Sequence, residues 1–435
     1  MTAVGVEPVI DLGDIRAWNA TPPPPPPGAG RRAVALTAVA IVLLTAGGAA
    51  VPPPTLTAVD LPETLVASSF AAAGDRLYRT TSLDPGADDA VWTITANALP
   101  DGRELWNSPY DVPGGRIYSV TAAGPVVVIV GGATITRQRT TAAFDAASGR
   151  PLWTVEGDVV VAGDHRTGLL SGGSPARLTG IDLADGRHLW SEPANARLSV
   201  EPRPDGVLVL GRGGLVQRRD PRTGAVIRSA TPFGDGVAPI ASLTFGDSTV
   251  LWFVGGTGTG VAALDAETLA VRWRQGHPVD GGGFARCGPY VCVSGYGGVD
   301  ALDPRTGATV WRAEDTRYVV DLGANLLVMD AVPGGIGPVR TVRPASGAIV
   351  DDLRGWRTGG GAGGGPPILS RTLPGENRTA LASLGPPTGT LRPLGFVPEV
   401  VLGCQRGATA VVCRTPDGEL RVWGLDRAEL AFTRA

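Results

Sequence analysis

Lysine is absent from this chain: all 38 basic residues are arginine. That excludes Schiff-base chemistry and any mechanism built on a side-chain amine. Histidine is nearly as scarce. His165, His188 and His277 are the only three, and no two are spaced as a pair on one strand, so a histidine metal site or a nucleophile-base pair has no foundation. Charge is also balanced, at a net −3, and three arginines and three acids lie before residue 51, leaving the remainder close to neutral. Without a basic field there is no footprint for nucleic acid. No two of the four cysteines are adjacent.

Against these absences stands a phrase that returns with variations. Phe144-Asp145-Ala146-Ala147-Ser148-Gly149 leads to Trp153, Ile181-Asp182-Leu183-Ala184-Asp185-Gly186 to Trp190, and Leu302-Asp303-Pro304-Arg305-Thr306-Gly307 to Trp311. Each copy has an Asp, a Gly four positions on and a Trp eight positions on. Two copies are degenerate: Asp220 to Gly224 has Arg228 in the Trp place, and Asp265 to Trp273 has Leu269 in the Gly place. Gly102 with Trp106, Gly347, Gly389 and Asp426 continue the phase more faintly. The spacings run from 37 to 47 residues, the period of four-stranded propeller blades.

The residue types fit a hairpin. The Asp carboxylate accepts hydrogen bonds from backbone N–H groups two or so residues on, and the Gly supplies a positive φ. β-rich runs closed by glycine precede the phrase, as at residues 126–132 and 250–256. The Trp is placed to fill the space between neighbouring sheets, its indole N–H left to find a carbonyl. Five of the ten tryptophans hold this slot, which marks them as core.

The phrase at residues 301–311 resembles the repeat of the pyrroloquinoline-quinone-dehydrogenase type of β-propeller, found in quinoprotein alcohol dehydrogenases and in non-enzymatic relatives such as an outer-membrane assembly lipoprotein. The resemblance covers the chain from about Leu61 onward. It implies an all-β propeller of eight blades, with seven as the alternative. Nine phrase-like units are present; a unit lost to a long loop, or a strand exchanged between the ends, would reconcile the numbers. The enzymes of this family stack their quinone on a disulfide of adjacent cysteines, beside calcium and an aspartate base. None of these positions maps onto this chain, so the resemblance implies the non-enzymatic branch, without cofactor or metal.

Residues 33–51 form 19 uncharged residues, enough for a helix across a ~30 Å hydrocarbon core. Arg31 and Arg32 stand just before them, which by the positive-inside tendency keeps residues 1–32 in the cytoplasm and exports the chain beyond Val51. A cleaved signal peptide is the alternative, since Gly48-Ala49-Ala50 offers small residues for cleavage. Six prolines at residues 22–27 make a stiff polyproline II rod, read as a spacer or a docking peptide. Residues 52–60 are read as a stem and 61–435 as the propeller.

Cys287 and Cys292 flank Gly288-Pro289, and Cys404 and Cys413 flank Gly407. Each pair sits across one hairpin, within disulfide reach, and an even count in an exported domain favours two local bridges over a metal site lacking Cys-x-x-Cys spacing. Loops this short contribute about 2 kcal/mol each. Gly256-Thr257-Gly258-Thr259-Gly260 alternates glycine like a phosphate loop, but no helix-forming sequence comes after it and a β-turn is the better reading.

The expected protein is therefore a single-pass membrane protein. Its extracytoplasmic propeller acts as a scaffold for a protein or envelope polymer, with a quinoprotein-type, pyrroloquinoline-quinone-dependent dehydrogenase or other propeller enzyme as the alternative. Protease added to intact protoplasts should degrade the propeller and spare an N-terminal tag; a soluble product beginning near Val51 would show cleavage instead.

Overall fold

In a computed structural model, the second strand of one blade shows why these sequences form sheets buried on both faces. Along Val126–Ala133, Val127 and Ile129 enter one apolar cluster with Tyr78, Trp92, Ile94 and Trp106. Val126 and Val128 enter another with Val159, Ile181 and Leu183 on the opposite side. Side chains alternate across a strand, so a continuous apolar run supplies two inter-blade cores at once. No blade has a core of its own.

The structure describes residues 56–425, apart from 57, 62–68, 83–90, 112–114, 134–138, 173–176, 194–198, 204–205, 235, 256–257, 277–278, 296, 315, 333–334, 359–366, 374 and 386–389. The described strands make nine four-stranded antiparallel sheets. The first blade comprises Ser69–Ala73, Arg76–Ser82, Val91–Ala98 and Glu104–Asp111; the fifth Ala238–Phe245, Ser248–Gly255, Gly258–Asp265 and Val271–Gly276; the sixth Val279–Cys287, Tyr290–Gly295, Gly298–Leu302 and Thr309–Ala313. In these three blades consecutive strands pair in order, and the phrase is the turn between the third strand and the fourth.

The ninth blade differs, because it takes strands from both ends of the propeller. Gly403–Arg406, Ala410–Arg414 and Leu420–Gly424 are completed by Ala58–Asp60, with Ala58 opposite Trp423, Val59 opposite Val422 and Asp60 opposite Arg421. One face of this blade packs Val411, Cys413 and Trp423 against Ile368, Leu381 and Leu394 of the eighth; the other packs Ala410, Val412 and Val422 against Leu77 and Leu99 of the first. The Gln405 amide bridges the same join, accepting from the Ala72 N–H at 3.2 Å and donating to the Phe70 carbonyl at 3.1 Å.

Nine blades replace the eight expected. The nine sheets equal the phrase-like units in number, and the exchanged strand completes the ninth sheet instead of absorbing a unit. Residues 58–60, read from sequence as stem, are that strand. No helix among the described residues is long and apolar enough to cross a membrane; the expected membrane segment, the cytoplasmic tail, Gly389 and Asp426 lie outside the described residues. Of the glycine-rich stretch at 256–260, Gly258 pairs with Gly255 and opens the third strand of the fifth blade, while residues 256 and 257 lie outside the described residues.

In the complete chain, Val59→Pro removes a donor from the closing ladder and should destabilise by about 1–3 kcal/mol, while Val59→Thr should be tolerated. Indistinguishable melting temperatures for the two variants would show that this strand does not hold the ring.

Candidate functional site

Each slot tryptophan acts on the next blade. The indole N–H of Trp106 donates to the Ala146 carbonyl at 3.0 Å, Trp153 to Leu183 at 2.8 Å, Trp190 to Pro221 at 2.8 Å, Trp273 to Pro304 at 2.9 Å and Trp311 to Pro344 at 2.6 Å. In every case the acceptor directly follows the Asp, or Arg343 in its place, of the next phrase. The ring then lies over that phrase's Gly. A Cβ added at Gly149 would stand 2.4 Å from Trp106, at Gly186 2.5 Å from Trp153, at Gly224 2.5 Å from Trp190 and at Gly307 2.9 Å from Trp273. Glycine is thus required twice, by φ near +70° at these positions and by the approaching indole.

Within the turn, Asp145 accepts from the N–H groups of Ala147 and Ser148, Asp265 from Glu267 and Thr268, and Asp303 from Arg305 and Thr306. The Thr268 N–H, followed by the Arg272 guanidinium, holds the Asp265 carboxyl well below its usual range. Asp182 accepts from the Ala184 N–H in the same way.

The two degenerate copies turn out to be the two sides of one interface. Arg228, in the Trp place of the fourth blade, is exposed, and the turn it would have covered is the one with Leu269 for Gly. Leu269 keeps φ at +59° and the turn hydrogen bond to the Asp265 carbonyl at 2.9 Å. Its side chain is 1% exposed, packed with Leu208, Val216 and Phe253. A buried leucine fills the volume of the missing indole and offsets the cost of a left-handed backbone. Arg218 reaches the orphaned Ala266 carbonyl at 3.4 Å.

Both disulfides are present, Cys287–Cys292 with a Cα separation of 5.7 Å and Cys404–Cys413 with 4.0 Å. Each joins the first and second strands of its blade, the sixth and the ninth. His165 lies in a turn of the third blade and His188 opens its outer strand, both exposed; His277 lies outside the described residues. Among the described residues no group of three or more His, Cys, Asp or Glu could hold a metal ion.

The turns between first and second strands and those between third and fourth strands share one face of the disk. On it, between the fifth and sixth blades, opens a cleft of about 400 Å³ lined by Phe245, Arg286, Pro289, Tyr290, Asp303, Pro304 and Arg305. Phe245 and Pro304 are buried and form its floor. Arg286 stacks over the Phe245 ring at 4.3 Å and donates to the Thr244 carbonyl. The walls are fixed from below: the Cys287–Cys292 bridge pins the hairpin carrying Arg286 and Tyr290, and the Trp273 indole holds Pro304. Sequence reading missed this cleft, because its residues come from three turns in two repeats and share no spacing.

Fold and phrase together define a PQQ-like repeat propeller. The family described as outer membrane protein assembly factor BamB matches residues 92–235 and 212–355, and the chain belongs to it. The description of the family is that of an assembly factor. The BamB protein of Xanthomonas campestris pv. campestris is 33% identical over 127 residues, 25% of this chain and 28% of that protein, so the match spans under a third of that relative's length. The crystal structure of BamB from Moraxella catarrhalis superposes with a TM-score of 0.45 at 14% identity, covering 87% of this chain and 99% of that one. The computationally designed Ika8 protein gives 0.49 at 14%, covering 85% and 100%.

Trp311→Ala should cost ~3–5 kcal/mol, because stiff sheets cannot close over the cavity. Gly186→Ala should be destabilising in the parent and distinctly less so in a Trp153→Ala background, where only the strain of its φ remains. Additive effects in that double-mutant cycle would show that the indole and the glycine do not meet in solution.

Proposed function

We propose that this protein is a membrane-anchored extracytoplasmic scaffold whose propeller binds another protein through its turn face. The observation that carries the reading is membership of an assembly-factor family, joined to a face whose turns are fixed by Asp caps, indole ties and a disulfide. A surface fixed in advance loses little entropy on binding, which favours recognition of a partner. Anchoring through residues 33–51, with residues 1–32 cytoplasmic, rests on the apolar stretch and the two arginines before it. An outer-membrane assembly partner is the precedent offered by the name of the family. An envelope polymer is the other ligand class.

A photo-crosslinking residue at position 305 on the turn face, and another at position 349 on the rim of the disk, should separate these readings in intact cells. Discrete protein adducts from position 305 but not 349 are expected. Adducts to polymer alone, or the same adducts from both positions, would overturn the assignment.

A further inference from the structure

We propose that the cleft between the fifth and sixth blades takes a short extended segment of a partner protein bearing one carboxylate beside an aromatic or large apolar side chain. The inference rests on the protein-binding reading above and names the chemistry at that site.

Asp303 faces the cleft, but its Oδ1 accepts from the N–H groups of Arg305 at 2.7 Å and Thr306 at 3.1 Å. Asp247 and Asp265 share Arg272, at 2.9 and 2.7 Å. Asp321 accepts from the Gly288 N–H at 3.0 Å and the Gly323 N–H at 2.7 Å. Arg305 is exposed, and its electrostatic neighbour Asp247 is the carboxylate held by Arg272. Arg286 is exposed, spending one face on Phe245 and one N–H on a carbonyl. Guanidinium donors of Arg286 and Arg305 therefore line the rim, while Asp247 and Asp265 are paired with Arg272 and Asp303 and Asp321 keep their charge but spend oxygens on backbone N–H groups. An incoming carboxylate matches that geometry, two N–H groups to two oxygens.

The same surroundings limit the ligand to few charges. Asp303 belongs to the lining and Asp321 holds the Gly288 N–H beside it, so a polyanion with regularly spaced charges meets repulsion next to the two arginines. A single carboxylate within a peptide does not. An exposed ion pair alone contributes too little to hold a segment in place. The remaining contact comes from the floor and walls, Phe245, Pro304, Pro289 and half-buried Tyr290, a surface of aromatic and proline rings that receives an aromatic or aliphatic side chain. About 400 Å³ accommodates two such side chains. The Cys287–Cys292 bridge and the Trp273 tie hold these walls before a ligand arrives.

The test uses the full-length chain in detergent and a fluorescein-labelled hexapeptide of glycines and serines around a central phenylalanine-glutamate pair, read by fluorescence anisotropy. Saturable binding is expected, with a Kd on the order of 100 μM. Glutamine in place of the peptide's glutamate should weaken it about two- to fivefold, Arg305→Glu in the protein, which adds repulsion, more than that, and Tyr290→Ala severalfold. Arg305 is exposed and outside the cores, so Arg305→Glu should leave the melting temperature unchanged. Absence of saturable binding, equal binding by Arg305→Glu, or tighter binding of inorganic polyphosphate that displaces the peptide would each overturn the proposal. If the peptide fails while position 305 still yields protein adducts in cells, the scaffold reading stands and only this ligand chemistry falls. If the peptide binds and no adducts form, the reverse holds.

Discussion

An indole ring laid over the glycine of the neighbouring repeat is the contact on which this molecule depends. It orders two blades with one hydrogen bond and one close approach, and it has a direction, from each repeat to the next. Because the strands are apolar on both faces, an isolated blade would leave two hydrophobic surfaces in water; the tie sets the angle at which each surface meets its neighbour. Five interfaces use it. A sixth, between the fourth and fifth blades, replaces Trp with Arg228 and Gly with Leu269. The exchange shows that the requirement is for filled volume above the turn, supplied from either side of the interface.

Much of this was legible. Spacing of Asp, Gly and Trp identified the turn, the repeat and its propeller class, and the tryptophans were read as inter-blade wedges with an N–H seeking a carbonyl. Which carbonyl was not legible, since nothing in a linear phrase says that Trp153 reads the turn of Gly186 and not its own. The two degenerate copies looked like independent decay for the same reason. The blade count failed through reliance on the family's usual number when nine units were already visible. The cleft was hidden most completely: Phe245, Arg286 and Arg305 lie on different turns, and only the fold gathers them.

Function in this architecture is separated from stability in a simple way. Glycine, tryptophan and the capping aspartate are committed to holding blades together, leaving them little scope to vary. Of the residues between Asp and Gly, the first gives its carbonyl to the neighbouring indole, but the second is free of that duty apart from its backbone N–H, and it differs from copy to copy: Ala147, Ala184, Arg222, Glu267, Arg305. The face of the disk is therefore the place where a repeated scaffold becomes chemically individual, and Arg305 is one such variable position.

The exchanged strand has a consequence for how the chain comes to be folded. Ala58–Asp60 precedes all the other described strands, and its partner Leu420–Gly424 comes after them. During synthesis or export the early strand has nothing to pair with until the rest has emerged. The eight intervening sheets form from local hairpins, each short in sequence separation, whereas the final pairing spans more than 350 residues and waits for the end. Until then Val422 and Trp423 form the open margin of an incomplete sheet, a template for pairing with another chain. Ring closure is thus the pairing with the largest sequence separation, and the one that leaves an open strand edge until it is made.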